Sequence, residues 1–278
     1  MRVLRFIGWA MFGVFVMFWS LGPLYWALNV SLTTQAGLQK VPMSLLPVPF
    51  TGENYSKLLS TTGGVSSDFY RALLNSLIEA GGATVIVVLI SLPAGYAFAR
   101  WRFSGSRTMF LFIVGMMSVP LLAVLLPLFR VTADLGLMDS YTPIIVLAMT
   151  TTLPIAIWFM RSFAAALPQD IEAAARIDGA GVVRVLWSIV IPLLRPAITT
   201  VAVIVFLTAW FQFLAPLLFS HSIASQPITV LIPSFVTKNS TDYGLQAAAG
   251  CLAMLPPIVL LLILHRYLVG GILRGAFK

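Results

Sequence analysis

Charge is what this sequence has least of. Its 278 residues include 17 lysines and arginines and 9 aspartates and glutamates, 9% in all. A soluble protein carries about 25% charged residues. So few charged groups cannot face a chain of this length with water, which excludes a soluble enzyme, a secreted domain and a disordered chain. Cysteine is nearly absent too. Cys251 alone cannot close an intramolecular disulfide or build a zinc or iron–sulfur site, and in its apolar surroundings it reads as a packing residue. The two histidines, His221 and His265, have no ligand-spaced companions, so no metal site is expected. No G-x-x-x-x-G-K-[ST] motif occurs, so the chain is not expected to cradle ATP phosphates itself. Nor is there a Ser–His–Asp pattern, a pair of catalytic carboxylates or a nucleophile elbow. The chain reads as non-catalytic.

What fills the sequence instead is apolar: 59% of residues are hydrophobic and the mean hydropathy is +0.98. A bilayer core takes about 20 consecutive apolar residues in a helix. Six uncharged runs meet that length: Ile7–Val30, Ala80–Ala99, Thr108–Phe129, Ser140–Met160, Pro196–Ser220 and Tyr243–Leu264. The expected fold is therefore all-α, a polytopic membrane protein with six transmembrane helices in one domain over residues 1–278. The first 39 residues resemble a signal peptide only superficially, because the uncharged stretch is too long, and they read as a retained first span. A seventh run, Val185–Leu194, is half as long and bracketed by Arg184 and Arg195, so a short interfacial or buried helix is expected there.

Six spans put both termini on one side, and the alternate connections then differ in basic residues. Twelve lysines and arginines fall on the side of the termini and five on the other. By the positive-inside rule both termini are cytoplasmic, in a cytoplasmic membrane. The net charge of +8 thus reports topology, and no nucleic-acid partner is expected. Nine prolines within the spans, among them Pro93, Pro120, Pro154 and Pro216, fit kinked helices around a cavity or hinge, as transporters have.

The longest cytoplasmic connection, residues 161–195, carries the most pattern. Pro168 suits the start of a helix, Asp170 and Glu172 place negative charge at its positive end, and Glu172 and Arg176 stand i,i+4. Asp178-Gly179 breaks that helix, and Asp178 is expected to cap a second one with Val183, Leu186, Trp187 and Val190 on one face. The run Ala173-Ala174-Ala175 gives the first helix a smooth surface. A helix–turn–helix of this kind is a candidate docking knob for a partner, whereas a helix lying flat on the membrane accounts only for its second half.

These residues resemble a known family. Glu172-Ala173-Ala174, Asp178-Gly179-Ala180 and Ile189-Val190-Ile191-Pro192-Leu193 are similar to the EAA loop of binding-protein-dependent ABC importer permeases. Asn75-Ser76, Ala94-Gly95-Tyr96-Ala97-Phe98-Ala99-Arg100 and Thr208-Ala209-Trp210 resemble the carbohydrate branch, and the segment from Arg266 to Lys278 is similar to the tail of G-type subunits of maltose importers. The resemblance implies a permease that moves a sugar or oligosaccharide. It implies coupling to ATPase subunits through Glu172, Ala173, Ala174, Asp178, Gly179 and Ala180. The implied partners are a second homologous permease in a heterodimer, two ATP-binding-cassette subunits that bind ATP and Mg, a second contact of the tail with that pair, and an external solute-binding protein. That protein would dock on the outer loops, mainly residues 31–71 and 221–242. The chain itself needs no cofactor. Two positions depart from the family pattern: Phe211-Gln212 stand where Asn-Glu or Asn-Asp is usual, and Glu79 where an apolar residue is.

Four residues are candidates for the translocation path. Glu79 lies one turn into the second span, and is either an intramembrane carboxylate with a function or an interfacial group reaching water. Asn75 is interfacial or gate-lining. Trp210 and Gln212, expected near the middle of the fifth span, either line a sugar pore or pack between helices. A polyol or glycerol-phosphate permease is the nearest alternative. An ion-coupled secondary transporter is more distant, since no span but the second holds a charge.

Overall fold

The computed structural model describes residues 2–61, 63–236 and 242–276. In chain order its helices are α1 (Arg2–Ser31), α2 (Gln35–Leu38), α3 (Glu53–Leu59), α4 (Gly64–Arg100), α5 (Ser106–Gly115), α6 (Leu121–Asp134), α7 (Tyr141–Ala165), α8 (Gln169–Ile177), α9 (Val182–Val185), α10 (Ile191–Trp210), α11 (Leu214–Phe219), α12 (Ile228–Ser234), α13 (Tyr243–Ala253) and α14 (Leu255–Ala276). No strand occurs among the described residues beyond an isolated bridge between Thr33 and Phe50. The all-α expectation holds.

Five helical stretches are long and apolar enough to cross a membrane: Gly8–Ser31, Gly64–Arg100, Tyr141–Ala165, Val182–Trp210 and Tyr243–His265. The third expected span, Thr108–Phe129, is not one rod. It is the pair Ser106–Ser118 and Leu121–Asp134, bent by 92°. Pro120 causes the break: it has no N–H to donate and forces Val119 into an extended conformation, with ψ of 122°.

The fifth span also differs from expectation. Its helix begins at Val182 rather than Pro196, so the stretch 185–194 is not a separate short helix. A π-helical turn, Leu186–Val190, joins α9 to α10, and the wider turn accommodates the proline at position 192. The helix then stops at Trp210, ten residues early. In a continuing helix the N–H of residue 216 would bond the carbonyl of Gln212, but residue 216 is proline. The Gln212 carbonyl instead accepts from the Thr229 hydroxyl at 2.9 Å. Trp210 and Gln212 therefore lie at a helix end and in the break after it, not in mid-helix.

The chain groups into two compact units, one of Met1–Arg71 and Val230–Leu255, the other of Ala72–Thr229 and Pro256–Lys278. In the first, α1 and α3 pack on α13. Gly244 admits the Asn54 side chain so closely that a Cβ there would lie 2.6 Å from Asn54 Nδ2. That amide donates to the Ser31 carbonyl at 2.9 Å. In the second unit, the α4 residues Val87, Leu92 and Tyr96 pack with Ala156, Met160 and Ala164 of α7 and with Leu194, Ala197, Val201 and Val205 of α10. Gly95 sets the approach of α4 to α7, because a Cβ on it would meet Met160 Cβ at 2.5 Å and the Arg161 nitrogen at 2.7 Å. A smaller cluster of Leu125, Ile144, Leu147, Ala215 and Phe219 joins α6, α7 and α11.

Candidate functional site

The loop singled out by sequence is a helix–turn–helix. Asp170 and Glu172 occupy the first turn of α8, which begins after Pro168. Its far end is a Schellman closure. The N–H of Gly179 donates to the Arg176 carbonyl at 3.0 Å, and that of Ala180 to Ala175 at 2.9 Å. Gly179 sits at φ +83°, left-handed backbone that glycine adopts without strain. Asp178 ends α8 and does not cap the next helix. The residue before α9 is Gly181, which offers no side-chain cap.

Glu172 is the anchor of this element, and it is only 4% exposed. Its Oε1 accepts from Arg100 Nε at 2.7 Å and its Oε2 accepts from the Tyr96 hydroxyl at 2.7 Å. Arg100 Nη2 also donates to the Leu167 carbonyl at 2.9 Å, just ahead of α8. The expected partner Arg176 stands farther off, at 3.8 Å, and is half exposed. Tyr96 and Arg100 close α4, so one carboxylate ties α8 to a long spanning helix. Two of the residues that form this clamp had no site role in the sequence. Arg100 counted there towards topology and, with Tyr96, towards the family resemblance, and its position one turn beyond Tyr96 was the available signal.

The rest of the motif faces outwards. Ala173, Ala174, Asp178 and Gly179 are exposed and Ala180 is half-buried. Around them lie bare apolar side chains, with Ile177 87% exposed and Val183 and Trp187 also open.

A second polar cluster lies at the opposite end of α7. Asp139, just ahead of that helix at φ 57°, accepts four hydrogen bonds. They come from the backbone N–H groups of His221 and Ser222, both at 3.0 Å, and from the hydroxyls of Ser222 at 2.6 Å and Ser225 at 2.5 Å. The two serine hydroxyls, helped by the backbone donors, hold its carboxyl well below the usual carboxylate range. Nothing in the sequence pattern pointed to Asp139.

Among the path candidates, Asn75 is fully buried and donates to the carbonyls of Ile223 and Gln226, at 3.0 and 2.8 Å. Its Oδ1 accepts from the Tyr141 hydroxyl at 2.8 Å. Ser76 next to it accepts from the Ile228 N–H at 2.9 Å. Asn75 thus ties α4 to the 223–228 segment. Glu79 does not reach water as an interfacial group would: it is 5% exposed, and its Oε1 has no hydrogen-bond partner. Gln212 Oε1 is likewise buried without a partner. Trp210 is 3% exposed and stacks on Phe206 with ring centres 5.4 Å apart, so it packs. Ser76 and the Gln212 backbone carbonyl both bond the segment at residues 228–229, through Ile228 and Thr229.

The tail segment from Arg266 runs helically to Ala276, and residues 277–278 lie outside the described ones, as do residues 237–241 of the outer loop.

A helical protein of several membrane spans, with a clamped helix–turn–helix presenting apolar side chains, has the form of a transport-system membrane component. The chain belongs to the family of binding-protein-dependent transport system inner membrane components, whose model matches residues 88–274. It is 30% identical to the trehalose/maltose transport system permease protein MalG of Thermococcus litoralis, over all of this chain and 97% of that protein. It is 31% identical to the sn-glycerol-3-phosphate transport system permease protein UgpE of Yersinia pestis, over 90% of this chain and 89% of that one. In structure it is similar to a chain of a bacterial ABC transporter involved in the import of the acidic polysaccharide alginate. The TM-score is 0.81 at 21% sequence identity, covering 96% of this chain and 97% of that one.

Proposed function

We propose that the chain is the permease subunit of an ABC importer for a sugar or oligosaccharide, driven through α8 by a separate ATPase subunit. The observation that carries this reading is the division of labour within α8. Glu172 is buried and bound to Tyr96 and Arg100, while Ala173, Ala174 and Ile177 face outwards. A partner that seats on the outward face and moves would therefore drag α4 with it, because the clamp resists separation. An element gripped by a partner on one side and a spanning helix on the other is what a rigid-body, two-state transport change requires. For that change to be driven, the ATPase must bind the two states differently. ATP and Mg belong to that partner, and the chain itself catalyses nothing. A second, related permease completes the pore, and an external solute-binding protein delivers the cargo to the end that carries Asp139.

The choice of carbohydrate rests on the names of the relatives, a trehalose/maltose permease and an arabinooligosaccharide permease among them.

The test is Ile177→Glu. A carboxylate on the outward face should abolish co-purification of the ATPase subunits and substrate uptake, while the chain still reaches the membrane. Unchanged association and uptake would sink the coupling assignment. For the path, Gln212→Leu should change substrate-stimulated ATP hydrolysis in the assembled complex, and no change would leave Gln212 a packing residue.

A further inference from the structure

A cavity of about 500 Å³ opens beside the clamp, and no part of the proposed transport mechanism uses it. Its lining contains four arginines, Arg100, Arg102, Arg107 and Arg161, and no aspartate or glutamate. Arg100 is already neutralised by Glu172, so three guanidinium charges remain. Arg102 and Arg107 are exposed side chains. Arg161 is oriented by Phe110, whose ring centre lies 4.2 Å beneath its guanidinium carbon. Polar groups are also at hand, since Ser106 and Gln169 complete the wall.

Three like charges around one concavity repel one another, and the arrangement is relieved by an anion. Arginine favours oxyanions with several acceptor atoms, because its planar fork donates two bonds at once. Phosphate is such an oxyanion. The cavity also has an apolar side. Leu111 lines it and is 58% exposed, and Phe112 beside it on α5 is 71% exposed. Free phosphate has no use for that wall, whereas a phospholipid does, since its acyl chains would run along the apolar face of α5. Basic pockets between spanning helices are a known way of holding anionic headgroups.

We propose that this cavity binds the phosphate of an anionic phospholipid, held by Arg102, Arg107 and Arg161, with the acyl chains against Leu111 and Phe112. The bound lipid cross-links the start of α5 to the end of α7, next to the α4 end that holds α8. Anionic lipid content would then tune how firmly that corner of the protein is set.

The experiment uses the full chain purified from membranes with its associated subunits, exchanged into phosphatidylcholine nanodiscs with or without phosphatidylglycerol. Native mass spectrometry reads retained lipid, and thermal unfolding reads stability. Wild-type protein should hold at least one phosphatidylglycerol per copy of this chain through delipidation, and R102Q/R107Q should lose it. Each arginine near an anionic headgroup is worth about fivefold, so the double variant should bind about thirtyfold more weakly. R102K/R107K, which keeps the charge but loses the planar fork, should recover only part of the binding. Equal retention by wild type and R102Q/R107Q would overturn the proposal. An equal thermal shift from inorganic phosphate alone would overturn the lipid assignment in favour of a free anion. Co-purification of the ATPase subunits is scored in the same samples, so failure of this inference and failure of the α8 docking reading are distinguished.

Discussion

Two carboxylates, one at each end of α7, each tie distant parts of the chain together, but they are held by different chemistry. Glu172 is buried and satisfied by a cation and a phenol from α4. Asp139 is half-buried and satisfied by four neutral donors from the 221–225 segment. The first holds charge against charge where water is scarce, so loss of either partner strands the other. The second is a cage of hydroxyls and amides, and losing one donor leaves three. In the proposed importer, a clamp that passes on movement must not slip, whereas a loop that receives a docking protein needs only its shape.

Breaking the clamp should give the largest effect. Removing one partner of a buried pair costs about 3–5 kcal/mol. Arg100→Ala and Glu172→Ala should both lower the thermal unfolding midpoint and abolish ATP-driven uptake. The double variant should cost much less than the sum of the two, which a double-mutant cycle would measure. Additive costs would mean the pair is not a unit.

Next comes Gly95, whose effect should resemble a broken clamp without touching its charges. Alanine there places a Cβ 2.5 Å from Met160 Cβ, so α4 and α7 must move apart. Overpacking of this kind costs about 1–3 kcal/mol. Lower stability and slower uptake are expected for Gly95→Ala, and wild-type behaviour would show that the crossing is looser than drawn.

Asp139→Asn should cost less than the clamp variants, of the order of 1–3 kcal/mol, because the amide keeps one acceptor oxygen and loses the charge. Its pH dependence sharpens the contrast. The folded carboxyl is held below its unfolded value, so its contribution is fully present above about pH 4 and is lost as pH falls through the folded value. The stability gap between wild type and Asp139→Asn should stay constant from pH 8 to about 5 and shrink only below about 4. A gap already closing at pH 6 would contradict the cage.

The smallest effect is reserved for Lys57→Ala. Its i,i+4 pair with Glu53 is exposed, at 47% and 66%, and such pairs are worth about 0.3–0.5 kcal/mol. A shift as large as that for Glu172→Ala would undo the argument that burial is what gives the clamp its strength.

Much of the fold was legible without coordinates. Apolar runs of membrane length foretold the five long apolar helices and the region of the bent pair at residues 106–134, because a helix in lipid must satisfy its own backbone and the hydrocarbon thickness fixes its length. The Asp178-Gly179 turn was legible for a local reason, since left-handed backbone after a helix selects glycine. Proline marked the breaks, but not their outcome: the one at position 120 bends a span by 92°, whereas those at 93 and 154 sit inside continuous helices. Which result follows depends on whether neighbouring helices take up the freed backbone groups.

By itself, then, the sequence determined a helical membrane protein with one patterned loop, because composition, periodicity and turn chemistry act over a few residues. Only the tertiary structure decided what that loop is fastened to. Tyr96 and Arg100 lie more than 70 positions from Glu172, and the donors to Asp139 more than 80 from it. Burial turns a carboxylate on a surface helix into a clamp, and burial depends on the packing of α4, α7 and α10 together.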